Sequence, residues 1–277
     1  MSVPNSRTSA NAEILIDYQR CTACGICVEV CKSGPLYIED DQLKVDQTRA
    51  FGCIACAACA AFCPTDAIRV SGRDLLPADI TRLPPAATLA DYTSLQALLT
   101  TRRSTRNFLQ RPIEPELIDR ILASAVTAPV GVPPSDVGVL VFRTPAAISA
   151  LSDDLTNAIK YWPKIFSPPF MKLLQPFIGR ENADMFANFI SPAVKTFLEK
   201  RSAGEDWLLY NAPLLIYFYG TPYNDPGDTI VAASLAMLAG ESLGLGTCML
   251  GFPGYIFQYG KGVRRKYGLP RKIQPGL

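Results

Sequence analysis

Histidine is missing from all 277 residues. That absence excludes Ser-His-Asp and Cys-His nucleophilic catalysis, His-ligated zinc and Rieske centres. Any general acid must then be a carboxyl, Lys, Tyr, Cys or water. Charged residues are sparse at 19%, and no uncharged apolar run reaches the ~18–20 residues that a membrane span needs. The start of the chain lacks the charged, apolar and small-residue blocks of a signal peptide, so a cytoplasmic protein without a membrane role is expected. The formal net charge is +2, with ten acidic and seven basic residues through position 80 and the basic excess after it. An acidic front and a basic back suggest two modules, and neither is charged enough to imply nucleic acid.

Cysteine is scarce after residue 63, where only Cys248 remains, because the other eight fall into two runs. These are Cys21-x2-Cys24-x2-Cys27-x3-Cys31 and Cys53-x2-Cys56-x2-Cys59-x3-Cys63-Pro64, offset throughout by 32 residues. So constant an offset indicates a duplicated unit with pseudo-twofold symmetry. Three cysteines at two-residue gaps line a tight loop and can cap three corners of one iron–sulfur cubane. The fourth turns away at the start of a helical turn and reaches the other cubane. Cys21, Cys24, Cys27 and Cys63 are therefore expected on one [4Fe–4S] cluster, and Cys53, Cys56, Cys59 and Cys31 on the other. The competing reading is a pair of four-cysteine zinc sites, which usually come as two separated Cys-x2-Cys pairs. The pattern resembles the bacterial two-cluster ferredoxins, with Lys32 where that family usually has a proline. Short strands are expected at Glu13–Tyr18, Leu36–Glu39, Gln42–Val45 and Ala67–Val70, with Asp40-Asp41 as a hairpin turn. A domain with so few apolar residues should depend on its metal to fold.

Residues 1–75 thus read as a two-cluster ferredoxin domain, and the Pro- and Gly-bearing stretch 76–93 as a linker. Residues 94–277 form a second, α+β domain. Helices are expected at Ser94–Thr101 and Glu116–Thr127, strands at Val137–Phe142 and Leu214–Tyr219, and a helix buried on nearly every side at Ile230–Leu243. Arg102 and Arg106, four apart in a helical or turn conformation, would share a face beside Ser104 and could cradle a dianionic phosphate. Taken alone, such a run is more often a solvated basic turn.

Five motifs in order resemble the nitroreductase family of dimeric FMN flavoproteins. They are Arg102-Arg103-Ser104-Thr105-Arg106-Asn107-Phe108, Ala128-Pro129, Gly204-Glu205-Asp206, Asn211-Ala212-Pro213, and Gly244-Leu245-Gly246-Thr247-Cys248-Met249-Leu250-Gly251-Phe252. The resemblance implies that Arg102, Arg103, Ser104 and Arg106 bind the FMN phosphate and ribityl chain. It also implies that Met249, Leu250 and Gly251 run past the flavin ring. Cys248 reads as a small buried apolar residue. Where the family usually has an Asn, and often a Gln, near the flavin, this chain has Pro133 and Ser135. It stops at Leu277, which makes the domain short at its C-terminus by comparison with the family. Residues 151–203 are long and apolar, with Tyr161, Trp162, Phe166, Phe170, Phe177 and Phe189. Pro163, Pro168, Pro169 and Pro176 are expected to break them into short helices. Extra core with dimer interface is the plainer reading of that insert, and a hydrophobic lid on the flavin the other.

The expected function is an iron–sulfur flavoprotein oxidoreductase acting as a homodimer. Electrons from ferredoxin or NAD(P)H would reach FMN by way of two [4Fe–4S] clusters and leave to a small-molecule acceptor such as a nitroaromatic, quinone or activated alkene. No side chain stands out as catalytic. The alternative is an electron-transfer subunit that relays to a protein partner without substrate turnover of its own.

Overall fold

Asp40 and Asp41 both take left-handed backbone, with φ of 50° and 54°, which is what a two-residue type I′ hairpin demands. They join β2 (Leu36–Glu39) to β3 (Gln42–Val45), paired antiparallel from Leu36↔Val45 to Glu39↔Gln42. The computed structural model describes residues 12–73, 75–80, 83–131, 136–221, 224–273 and 276. The chain divides into two units. One comprises Met1–Ala97, Pro129–Asp136 and Pro222–Asp228, and the other Leu98–Ala128, Val137–Thr221 and Thr229–Leu277.

In the first unit β1 (Glu13–Ile16) pairs antiparallel with β4 (Ile68–Ser71), from Glu13↔Ser71 to Ile16↔Ile68. The strand expected to run on to Tyr18 stops at Ile16, because Asp17 turns the chain. Its carbonyl accepts from the N–H groups of Arg20 and Cys21, and its carboxylate from that of Gln19. Two short helices, α1 (Ile26–Val30) and α2 (Ala58–Ala61), follow the cysteine loops.

The 32-residue repeat is written into the backbone. Left-handed residues recur as Ala23 and Ala55, Gly25 and Ala57, Gly34 and Asp66, Asp40 and Gly72, and Asp41 and Arg73. Non-glycine residues pay for such angles, so their recurrence marks turns that the fold over-determines. The core gathers Ile14, Leu36, Leu43, Ile68 and Val70 around Cys27, Cys53 and Cys59. Cysteine thus fills much of a core with few large apolar side chains.

In the second unit β5 (Val137–Phe142) pairs antiparallel with β6 (Leu215–Gly220), in register from Val137↔Gly220 to Phe142↔Leu215. Successive side chains on a strand face opposite ways, and two cores result. Tyr217 packs into one with Ile148, Leu151, Leu155 and Ile159 of α5 (Pro145–Ile159) and with Ile256 and Phe257 of α11 (Gly251–Tyr259). Phe218 packs into the other with Ile121 and Ala125 of α4 (Pro115–Val126) and Ala232, Ala233 and Ala236 of α10 (Pro226–Ser242). The α5 residues recur at three- and four-residue spacing. Each is fully buried or nearly so, worth about 1.5–3 kcal/mol apiece in area removed from water. Thr144 starts α5 by accepting the Ala147 N–H on its hydroxyl at 3.2 Å, with Pro145 opening the helix.

Two expectations are corrected here. The α10 helix is not buried on every side within this chain, since Ile230 is 48% exposed while Ala232, Ala233, Ala236 and Gly240 are buried. Pro176 does not break its helix but lies inside α7 (Pro168–Ile178), two residues before its end, where one missing N–H disturbs only the last turn. The other insert prolines do start helices, Pro163 in α6 (Trp162–Ile165) and Pro168 and Pro169 in α7. A turn of α8 (Arg180–Met185) and a π-helical turn at Phe186–Ile190 then lead into α9 (Ser191–Ser202).

Candidate functional site

The loop residues 21–27 and 63–68 enclose a small cavity. Its lining holds Cys21, Cys24, Cys27 and Cys63, with Thr22 and Thr65 and apolar residues such as Ile26, Ile38, Leu43 and Ile68. Three of those cysteines come from the first run and one from the second. The remaining thiols form the complementary group. Burial pushes the Cys59 thiol up to about 12, and the neighbouring Cys53, Cys31 and Cys56 push in the same direction. Cys53 is likewise raised, first by burial and then by Cys56 and Cys31. Burial raises Cys27 as well, with Cys21 and Cys24 adding to it. Thiols crowded out of water in this way give up their protons to a bound cation, which repays the burial cost.

Cys63 behaves differently. Burial raises it, but the Ala67 N–H, the Thr65 N–H and the Thr65 hydroxyl favour the thiolate and bring it below the ordinary value. The Ala67 nitrogen lies 3.2 Å from its Sγ. The repeat equivalent of Ala67 is Pro35, which has no N–H to donate. Among the described residues no three Cys, Asp or Glu side chains group as a single-ion site.

In the second unit the end of α10 builds another site. Gly244 takes φ of 79°, the Gly244 N–H bonds to Glu241 O at 3.0 Å, and the Leu245 N–H bonds to Gly240 O at 2.9 Å. This is a Schellman cap, and a glycine at that position avoids the penalty of the left-handed turn. The Glu241 carboxylate then accepts from both the N–H and the hydroxyl of Thr247, at 3.0 and 2.6 Å. Thr247 is thereby held in place to pair with Ser104 as a parallel bridge, with the Thr105 N–H 2.8 Å from Thr247 O. A Cβ on Gly246 would meet Thr105 Oγ1 at 2.6 Å.

Beside this junction lies a cavity of about 380 Å³. Its apolar walls include Ile121, Leu209, Leu215, Phe218, Ala236 and Leu250, and its polar lining includes Thr105, Asn107, Arg111 and Thr247. Tyr210, which also lines it, and Asn211 are both left-handed, with φ of 57° and 47°. Buried Asp206 anchors that turn by accepting from the Leu208 and Leu209 N–H groups and from the Ser152 hydroxyl. The Tyr217 phenol is pushed upward by burial.

Of the residues expected at a flavin, Met249 and Leu250 line the cavity; Gly251 opens α11 and is exposed. The basic stretch follows a helix and lies beside the cavity. The α3 helix (Tyr92–Thr101) closes with the Arg102 N–H on Leu98 O, and the chain then runs out to its bridge with Thr247. Arg102, Arg103, Ser104 and Arg106 are not among the residues that line the cavity, which the stretch meets through Thr105, Asn107 and Phe108. The Arg106 guanidinium sits over the Tyr210 ring, 5.9 Å from its centroid. Arg103 is engaged elsewhere, donating to Thr100 O and Arg102 O at 2.7 and 2.8 Å. Thr105 and Asn107 belong to the motif quoted from the sequence without being among the residues expected at the flavin, and Glu241 carries no sequence signal of its own. Cys248 is half-buried, with its Sγ 3.9 Å from Met249 O. Pro133 and Ser135 lie outside the described residues.

Two family models match the chain, one over each region described above. The nitroreductase-family model matches residues 99–276, and the 4Fe-4S dicluster domain model matches residues 9–68. An uncharacterized ferredoxin of Methanocaldococcus jannaschii is 39% identical over 59 residues, 21% of this chain and 77% of the relative. A nitroreductase with bound FMN from Bacteroides fragilis is 17% identical, covering 65% of this chain and 83% of that one, with a TM-score of 0.47. Another with bound FMN, from Desulfitobacterium hafniense, is 19% identical, covering 64% and 82%, with a TM-score of 0.46. The family match spans well over half the sequence and takes in the Thr105–Thr247 junction. The chain belongs to the nitroreductase family and carries a 4Fe–4S dicluster domain ahead of its nitroreductase domain.

Proposed function

We propose that this protein is an iron–sulfur flavoprotein oxidoreductase taking electrons from ferredoxin or NAD(P)H through two [4Fe–4S] clusters to FMN and on to a nitroaromatic, quinone or activated alkene. The observation that carries this reading is the coexistence of eight thiols in two crossed groups with a basic segment beside an apolar cavity. When bound, the clusters supply one-electron traffic and the flavin supplies hydride chemistry.

The donor sets fit those groups. The walls around Cys21, Cys24, Cys27 and Cys63 are mostly apolar, which suits a thiolate-bound cluster. Arg102, Ser104 and Arg106 would hold the FMN phosphate, whose charge suits guanidinium forks. Thr105 and Asn107 would orient the polar edge of the flavin, and Met249 and Leu250 would lie along its ring. The apolar remainder of the cavity favours an aromatic or other apolar acceptor over a charged one. With no histidine in the chain, the proton that accompanies hydride transfer is best drawn from water. The reading includes a homodimer, since large apolar side chains such as Val126, Phe177 and Ile230 are exposed in the single chain.

The experiment is anaerobic purification with iron, sulfide and flavin counts, followed by turnover with reduced ferredoxin, reduced viologen or NAD(P)H against a panel of nitroaromatics, quinones and activated alkenes. About eight irons, eight sulfides and one FMN per chain are expected, with turnover of at least one acceptor class. Flavin that is reduced but never reoxidised by any acceptor would point to a relay subunit in place of an enzyme.

A further inference from the structure

The two halves of the dicluster domain share a pattern of left-handed turns but not their charges. Positions 41 and 73 are 32 apart and both adopt φ of 54°, so they are equivalent points of the repeat. The first carries Asp41, which is exposed, and the second Arg73, which is only 5% exposed. An arginine cannot shed its charge in a protein, so burial brings a fixed cation into the domain interior. Its Nη1 lies 3.5 Å from the carbonyl oxygen of Cys53. That same carbonyl accepts from the Ala12 N–H at 3.0 Å, and the Cys53 N–H donates to Gln47 Oε1 at 2.8 Å. The cysteine is thus held on both sides, and the guanidinium is pinned against its backbone.

We infer that Arg73 raises the reduction potential of the cluster held by Cys53, Cys56, Cys59 and Cys31, leaving the other cluster nearly unaffected. The inference rests on the cluster assignment proposed above. Reduction adds one negative charge to a cluster, and a fixed cation in low dielectric favours the more negative state. Asp41, at the equivalent point of the first half, is solvated and of opposite sign, so its influence there is weak and screened.

The test is a redox titration of the full-length, cluster-loaded protein, followed by electron paramagnetic resonance, with wild type compared with Arg73→Met, Arg73→Gln and Arg73→Lys. Loss of the charge should shift the one-electron equilibrium of one cluster toward the oxidised form by tenfold or more, about 59 mV, while the other moves little. Lysine, which keeps the charge, should restore most of the shift. Unchanged potentials in fully loaded methionine or glutamine variants overturn the inference, as does an equal shift of both clusters. Failure of both neutral variants to load iron assigns Arg73 a folding role and overturns it as well. If wild type itself holds no clusters by iron and sulfide count, the functional reading has failed, an outcome distinct from unmoved potentials in loaded protein.

Discussion

Thr105 lies over Gly246 so closely that a Cβ on the glycine would meet its Oγ1 at 2.6 Å and its Cγ2 at 2.9 Å. The contact fastens the basic stretch after α3 to the turn after α10, across a gap of some 140 residues in sequence. Gly246→Ala should therefore push the two segments apart and cost about 1–3 kcal/mol, the usual range for an overfilled site. We expect a lower melting temperature together with reduced FMN content. Adding Thr105→Ala should recover part of both, because it removes the two closest atoms and leaves the Cβ at 3.0 Å. An unchanged flavin content in Gly246→Ala would argue against this junction as part of the flavin site.

The three arginines of that stretch should not respond alike. Arg103 is committed to the carbonyls of Thr100 and Arg102, whereas Arg106 sits over Tyr210 beside the cavity. A charge-assisted bond to a phosphate is worth about 1.5–3 kcal/mol, or roughly tenfold to a hundredfold in affinity. Arg102→Ala and Arg106→Ala should each weaken FMN binding by about that factor, and Arg103→Ala by less than about threefold. Fluorescence titration of the flavin-free protein with FMN measures the ranking.

The crossed thiols make a second set of variants informative. Cys63→Ser should deplete the cluster grouped with Cys21, Cys24 and Cys27, although position 63 belongs to the other cysteine run. Cys31→Ser should deplete the cluster grouped with Cys53, Cys56 and Cys59. Each should lower the iron count by about half, with different losses in the low-temperature resonance spectrum. Cys248→Ser should leave the iron count unchanged, since that thiol lies in the nitroreductase domain.

Stability at acid pH should depend on Asp154. Burial raises its pKa, but hydrogen bonds from Lys266 and Tyr267, at 2.7 and 2.6 Å, outweigh this and hold it below the ordinary carboxylate value. A carboxylate lowered in the folded state contributes fully above its unfolded pKa, about 3.9. The contribution is lost as pH falls through the lower folded value. Lys266 is 59% exposed, so screening limits the effect. Asp154→Asn should cost about 1 kcal/mol at neutral pH and flatten the acid limb of a stability profile followed by chemical denaturation.

Local signals made much of the fold legible. Strands β2, β3 and β5 run where alternation and the Asp-Asp turn put them, because each is a short segment bounded by its own turn chemistry. Pairing between distant segments was not legible. Ser104 bridges Thr247 only because a helix cap and the Glu241 carboxylate hold Thr247 in place, and no property of residues 102–106 announces that. The burial expected on nearly every side of Ile230–Leu243 has a different limit. Periodicity records how apolar a helix is all round, and it says nothing of which neighbours one chain provides.

The cavity around Cys21, Cys24 and Cys27 takes its fourth thiol from the other repeat, and this bears on how such a domain could have begun. A single 32-residue unit offers three sulfurs to one site and a fourth aimed away from it. Alone it leaves both sites incomplete, but two copies related by a twofold complete each other. An ancestor made of one unit would have had to work as a pair of identical chains. Carrying both units in one chain replaces a concentration-dependent encounter with a permanent tether, and lets each half carry its own charges.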